Sequence, residues 1–227
     1  MNPIKDTAVS VVVGFSLIAI LIMVAVSAWA WPQLPSDALV PVHWNIDGEP
    51  DRFGSKFSGL FTLPLITAGL TLIFIFLPYV DPKKNNLVRS QKAYLISWAV
   101  ITIFMLLTHI VTTLNIVGRD VDVATTISIG LGVMFLIIGN YMGKIRRNFM
   151  FGIRTPWTLS SELAWNKTHR LGGKLFMLVG ALVILSGIFV VGRGLVMYIL
   201  LGGILGATVI LFTYSYFIWK ADPDVSL

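Results

Sequence analysis

Few side chains in this sequence have the chemistry to catalyse a reaction or hold a metal. There are three histidines and no cysteine, so disulfide frameworks, Cys-zinc sites and thiol catalysis are excluded. His43 falls among Asp47, Glu49 and Asp51, a cluster that could be read as a metal site. One histidine among carboxylates is a weak ligand set, because acidic residues are common in exposed turns. His109 lies in an apolar run and His169 in a basic segment, so the three histidines do not make one site. No HExxH, P-loop, Rossmann spacing, nucleophile–base pair or carboxylate dyad is present. The chemistry that remains is recognition. No enzyme activity, no metal and no cofactor is expected.

The elements that must position these residues are membrane helices. Of the 227 residues, 56% are hydrophobic and 12% are charged, and the mean hydropathy is +0.83. A soluble chain carries about twice that charged fraction. Runs of about 20 apolar residues cross the hydrocarbon core as helices, since lipid leaves no other partner for the backbone. Six such runs are visible: Ala8–Trp31, Phe57–Val80, Ala93–Gly118, Val123–Met142, Leu175–Gly192 and Leu195–Trp219. Ala28-Trp29-Ala30 fits a cleavage pattern, but the first run is too long for a signal peptide and is read as a retained helix. The sequence therefore predicts an all-α, six-span integral membrane protein.

Lys and Arg set the orientation. Lys5, the 81–92 connection, the 143–174 segment and Lys220 carry thirteen of the 17 cations; Arg52, Lys56, Arg119 and Arg193 lie on the other face. The asymmetry predicts both termini in the cytoplasm. The net charge of +6 is then a record of topology rather than a sign of nucleic-acid binding. No intramembrane carboxylate is present, which argues against proton-coupled transport.

Two connections are long, and they lie on opposite faces. The outer one, Pro32–Lys56, is net acidic and contains Pro41-Val42-His43-Trp44-Asn45, followed by the turn signals Asp47-Gly48 and Pro50-Asp51. It is read as a compact recognition loop, with His43, Trp44, Asn45, Asp47 and Asp51 facing a ligand. The alternative is a structured lid that binds nothing. The inner one, Gly143–Lys174, has seven cations against Glu162. Lys144, Arg146 and Arg147 suit anionic headgroups, at roughly 1 kcal/mol each. Thr155-Pro156 reads as an N-cap followed by the first helical position. From there to Arg170 the pattern predicts one amphipathic interfacial helix with Trp157, Ser161, Ala164, Trp165 and Thr168 on one face. That face would be either a partner-docking surface or a membrane anchor.

Within the spans, His109 is the polar candidate, with Thr125, Thr126 and Ser128 of the next span as expected partners. Gly173, Gly180 and Gly187, and Gly202 with Gly206, read as close-packing seams.

Two segments carry a family resemblance. Pro41-x-His43-Trp44-Asn45-x2-Gly48-x-Pro50-Asp51 resembles a short N-terminal domain of unknown function found in SdpI-type membrane proteins. Gly139-Asn140 through Asn148, then Gly152-Ile153-Arg154-Thr155-Pro156-Trp157-Thr158-Leu159 with Trp165 and Arg170, resembles that family's C-terminal domain. The resemblance covers most of Pro35–Gly192, with the last span ordinary in sequence. It divides the chain into a three-helix half over 1–118 and an SdpI-like half over 119–227. It implies a bacterial-type cytoplasmic-membrane immunity and signalling protein. Such a protein protects against a secreted peptide toxin and, with toxin bound, sequesters a cytoplasmic winged-helix repressor at the membrane. On that resemblance the outer loop and its flanking helices would meet the toxin. Arg154, Thr155, Pro156, Trp157, Thr158 and Trp165 would meet the repressor. The competing reading is a small transporter or flippase for an amphipathic substrate, working through His109.

Overall fold

The computed structural model describes residues 6–45, 47–189 and 193–225. Lys5, counted above on the basic face, and residues 190–192, which closed the expected fifth span, lie outside them. Helix α1 is Asp6–Ala30, followed by a 3-10 turn at Trp31–Gln33. Strands β1 (Leu39–Trp44) and β2 (Pro50–Ser55) precede α2 (Lys56–Val80), the short α3 (Lys84–Arg89) and α4 (Gln91–Ile116). Then come α5 (Val123–Met142), the short α6 (Pro156–Ser160), α7 (Glu162–Ile188) and α8 (Arg193–Lys220). Six of these helices are long and apolar enough to cross a membrane. Large apolar residues such as Leu21, Phe76 and Leu205 are more than half exposed on their outer faces, as lipid-facing helices require.

Two expectations need correction. First, Pro50-Asp51 does not make a turn: β1 and β2 pair antiparallel in a two-stranded sheet, with Leu39 opposite Ser55 and Trp44 opposite Pro50. The register slips on both sides of His43, which hides any simple alternation. Asp47-Gly48 makes the tip, with Gly48 at φ 78°, whereas Pro50-Asp51 begins β2 rather than making a turn. A lone hairpin is marginal in water; this one is held by Val40, 3% exposed, seated where any side chain on Gly59 of α2 would have to go.

Second, the expected helix from Pro156 to Arg170 is two pieces. Thr155 caps α6 as foreseen, its hydroxyl accepting from the Thr158 amide at 3.1 Å. The chain is then extended at Ser161, which caps α7 by accepting from the Ala164 amide at 2.8 Å. From Glu162 onward the amphipathic segment is continuous with the fifth long helix. Its apolar face is consumed by packing: Ala164, Trp165 and Thr168 are fully buried.

Glycine explains how α7 lies against α5. A Cβ on Gly139 would meet the Gly173 carbonyl at 2.7 Å, and one on Gly132 would meet the Gly180 carbonyl at 2.8 Å. The two backbones touch, as small-residue seams in membranes allow. Gly202 and Gly206 have nothing within 4 Å, so the seam expected there is not used inside this chain; Gly203 packs on Val179 instead.

Candidate functional site

At the hairpin end, a cavity of about 580 Å³ opens between the sheet and the ends of α2, α4, α5 and α8. Its roof includes His43, Trp44, Asn45 and Arg52. Its floor includes Thr62, Thr108, Thr112 and Ser128, with Ile127, Met197 and Leu200 among its apolar walls. Mostly apolar walls with a few placed polar groups are the usual form of a binding site. Of the five expected ligand-facing residues, three line this cavity and two support it. His43 Nδ1 lies 2.6 Å from Asp51 Oδ1, so Asp51 orients the imidazole. Asn45 accepts from the amides of Asp47 and Glu49 at 2.9 Å each, which builds the hairpin tip. Asp47 is part of that tip and does not line the cavity. Lys56 anchors the hairpin base: it is 7% exposed, donates to the Leu34 carbonyl at 2.8 Å and stands 4.3 Å from the centre of the Trp31 ring. Arg52, Thr108 and Thr112 were missed as site residues, because no local signal links a loop arginine to threonines two helices away.

His109 is not in the cavity. It is fully buried against α1, with Nε2 2.9 Å from the Met23 carbonyl and 3.2 Å from Ser27 Oγ. The carbonyl can only accept, so Nε2 carries the proton in this contact. Ser27 in turn donates to the Leu60 carbonyl at 2.6 Å. The expected partners on the fourth span are thus replaced by α1 and α2. The imidazole joins α4 to α1, and Ser27 carries the link on to α2, as polar side chains do between membrane helices.

At the opposite, basic end, segment 143–161 is folded by buried polar groups. Asp81, fully buried, accepts from the amides of Phe149 (3.0 Å) and Met150 (3.2 Å) and caps Lys83 (2.7 Å). Asn148, also fully buried, accepts from the amides of Met150 and Phe151 and donates to the carbonyls of Arg146 and Phe151. Trp165 Nε1 donates to the Ile145 carbonyl at 2.7 Å. His169 accepts from the Ile153 amide and donates through Nδ1 to the Trp165 carbonyl, an arrangement that holds the neutral imidazole. Burial, followed by the neighbouring Arg147 guanidinium, holds Lys83 below the usual lysine range.

The six expected partner-facing residues divide sharply. Thr155, Thr158 and Trp165 are buried and spend their polar atoms inside the fold. They are anchors rather than surface. Arg154 and Pro156 are exposed, with Arg154 Nη1 donating to the Phe149 carbonyl at 2.8 Å. Trp157 is half-buried, edge-on to Phe212 (4.7 Å) and Tyr216 (5.2 Å) of α8.

Among the described residues no group of three or more His, Asp or Glu could hold a metal. Residues 144–215 match the family described as the SdpI/YfhL protein family, and residues 18–68 match a domain of unknown function (DUF1648). The first match runs into α8, beyond the Gly192 limit read from sequence. Over 174 residues, covering 77% of this chain and 80% of the relative, the sequence is 26% identical to the immunity protein SdpI of Bacillus subtilis (strain 168). No solved structure matches.

Proposed function

From a chain that its sequence assigns to the SdpI/YfhL membrane-protein family, we infer a multi-pass membrane immunity protein that binds a secreted peptide toxin in the cavity beneath its hairpin. The observation that carries this reading is where the two matched segments meet. The hairpin and the start of α2, from the match over residues 18–68, and α8, from the match over residues 144–215, wall the same cavity. Its apolar walls suit the apolar face of an amphipathic peptide arriving from outside the cell, while His43, Asn45 and Arg52 offer polar contacts at the mouth. Burial of apolar surface supplies most of the affinity, at about 25 cal/mol per Å² before ordering costs. The charge asymmetry, with the acidic hairpin outside and the basic end in the cytoplasm, supports this orientation.

Signalling is the finer part of the proposal. The edge made by exposed Arg154 and Pro156 with half-buried Trp157 is the surface on which a cytoplasmic winged-helix repressor would be held. Helix α8 touches both the cavity and Trp157. Met197 and Leu200 wall the cavity, and Phe212 and Tyr216 hold Trp157, about 22 Å further along at 1.5 Å per residue. A toxin that shifts α8 would shift Trp157, which is the differential contact that coupling requires.

Expression in a toxin-sensitive host tests the reading. Full-length protein protects, and removal of Pro41–Lys56 abolishes protection with insertion intact. Unchanged protection by the deletion rejects the cavity assignment. A transporter reading through His109 finds no supporting contact, since that side chain is sealed between helices rather than lining the cavity.

A further inference from the structure

The basic end holds a second cleft, of about 560 Å³, that the immunity reading does not use. It is lined by Arg89 from the end of α3, Lys144 and Arg146 from the segment after α5, and Lys167 and Arg170 from α7, with Asn166 between them. Five cations from three separate stretches of chain converge on it, and no carboxylate lines it. Among the described residues none of the five makes an ion pair; the pair that is formed, His43 with Asp51, is at the other end of the molecule. Glu162, the one carboxylate of the 143–174 segment, is not among the residues lining the cleft.

All five cations are exposed at the mouth of the cleft, while the chain that carries them is fixed. The Arg146 amide donates to Ser90 Oγ at 2.8 Å, Asn86 Nδ2 to the Arg147 carbonyl at 2.8 Å, and Trp165 Nε1 to the Ile145 carbonyl at 2.7 Å. The stem of Arg170 lies along Gly143, where an added Cβ would stand 3.3 Å from its Cγ. Leu163, Asn166, Lys167 and Arg170 occupy one face of α7 at helical spacing. Like charges gathered around one cleft repel one another, and a polyvalent anion among them relieves that repulsion. Arginine forks favour phosphate oxygens, which they bind in pairs.

We propose that this cleft is a binding site for a phosphate-bearing anion of at least two negative charges. Two sources share that chemistry: the headgroup of an anionic phospholipid with two phosphates, and a soluble polyphosphate. The site is built from residues distinct from those of the hairpin cavity, so it stands or falls independently of toxin binding.

The experiment uses the full-length protein in neutral detergent. Binding and thermal stability are measured with cardiolipin, with pyrophosphate, and with phosphatidylcholine as the zwitterionic control. The expected result is stabilisation by cardiolipin, pyrophosphate or both, weakening as salt rises, and none by phosphatidylcholine. Binding by cardiolipin alone assigns a lipid headgroup; binding by pyrophosphate assigns a soluble source. The double variant Arg146→Gln/Arg170→Gln weakens binding by about tenfold or more. The control Lys84→Gln/Lys220→Gln removes two charges elsewhere and retains binding. Because Arg146 adjoins the buried Ile145, Lys144→Gln/Lys167→Gln serves as a second test pair should the first fold poorly. No stabilisation by either anion, or equal loss in the control variant, overturns the proposal.

Discussion

Across the hairpin, His43 Nδ1 and Asp51 Oδ1 stand 2.6 Å apart, eight residues from one another in sequence. The contact joins a residue that lines the cavity to one that does not, and it spans the strand register where pairing is irregular. Both side chains are about half exposed, so the pair is worth at most about 1 kcal/mol to stability. Its value is orientation. Asp51→Ala is expected to leave thermal stability almost unchanged while lowering protection against toxin several-fold; Asp51→Asn, which can still bond the ring, retains more. Equal behaviour of the two variants in a dose–survival assay would detach His43 orientation from function.

Gly59 tests the seating of the hairpin. A side chain there collides with Val40, so Gly59→Val must lift the sheet from α2. Over-packing of this kind costs about 1–3 kcal/mol. Protection should disappear while membrane insertion, followed by fractionation, is retained.

The α5–α7 seam should be the least tolerant part of the fold. Gly139→Leu forces a side chain onto the backbone of α7 at Gly173. Loss of several degrees in the detergent melting temperature is expected, larger than for Gly202→Leu, whose site has open space around it. The reverse order would refute the assignment of the two glycine sets.

At the basic end, Asp81→Ala strands the amide of Phe149, at about 1–3 kcal/mol for an unsatisfied group, and leaves the Met150 amide with only its bond to Asn148 Oδ1. Faster limited proteolysis within 143–161 is the expected readout. Arg154→Ala removes only one exposed side-chain bond, so a loss of repressor capture in that variant, at unchanged stability, would report the docking edge. Trp165→Ala is uninformative about docking, because emptying a fully buried site costs about 3–5 kcal/mol by itself.

Helix α8 provides a separate test of coupling. Phe212→Ala loosens Trp157 but lies far from the cavity. Protection should persist while repressor capture becomes independent of toxin. Joint loss of both would mean that α8 serves stability rather than signalling.

How much of this was legible in the sequence follows from range. The spans were readable because hydropathy is local, and five of the six agree with the long helices to within a few residues. The fifth reads as starting only at Leu175, because Asn166, Lys167, His169 and Arg170 break the apolar run, although the helix starts at Glu162 and continues through them. The Thr155-Pro156 cap was legible because capping is decided within four residues. The hairpin was not, since Pro41 and the slipped register around His43 erase its alternation. Which helix receives His109, and which glycines meet, depends on helix placement that no local pattern encodes. The burial of Trp165 was hidden for the same reason, since an aromatic on an amphipathic face reads alike whether it meets lipid, partner or core.

The central claim is that the cavity beneath the hairpin receives the toxin. Ser128→Trp and Thr62→Phe fill that cavity from two different helices without touching the hairpin strands. The measurement is dose–survival of a sensitive host expressing each variant at matched membrane levels, challenged with a secreted membrane-active peptide toxin against which the unaltered protein protects. Both variants should need at least about tenfold less toxin for killing than the unaltered protein, a loss of about 1.4 kcal/mol in binding. Full protection by both cavity-filled variants would contradict the account.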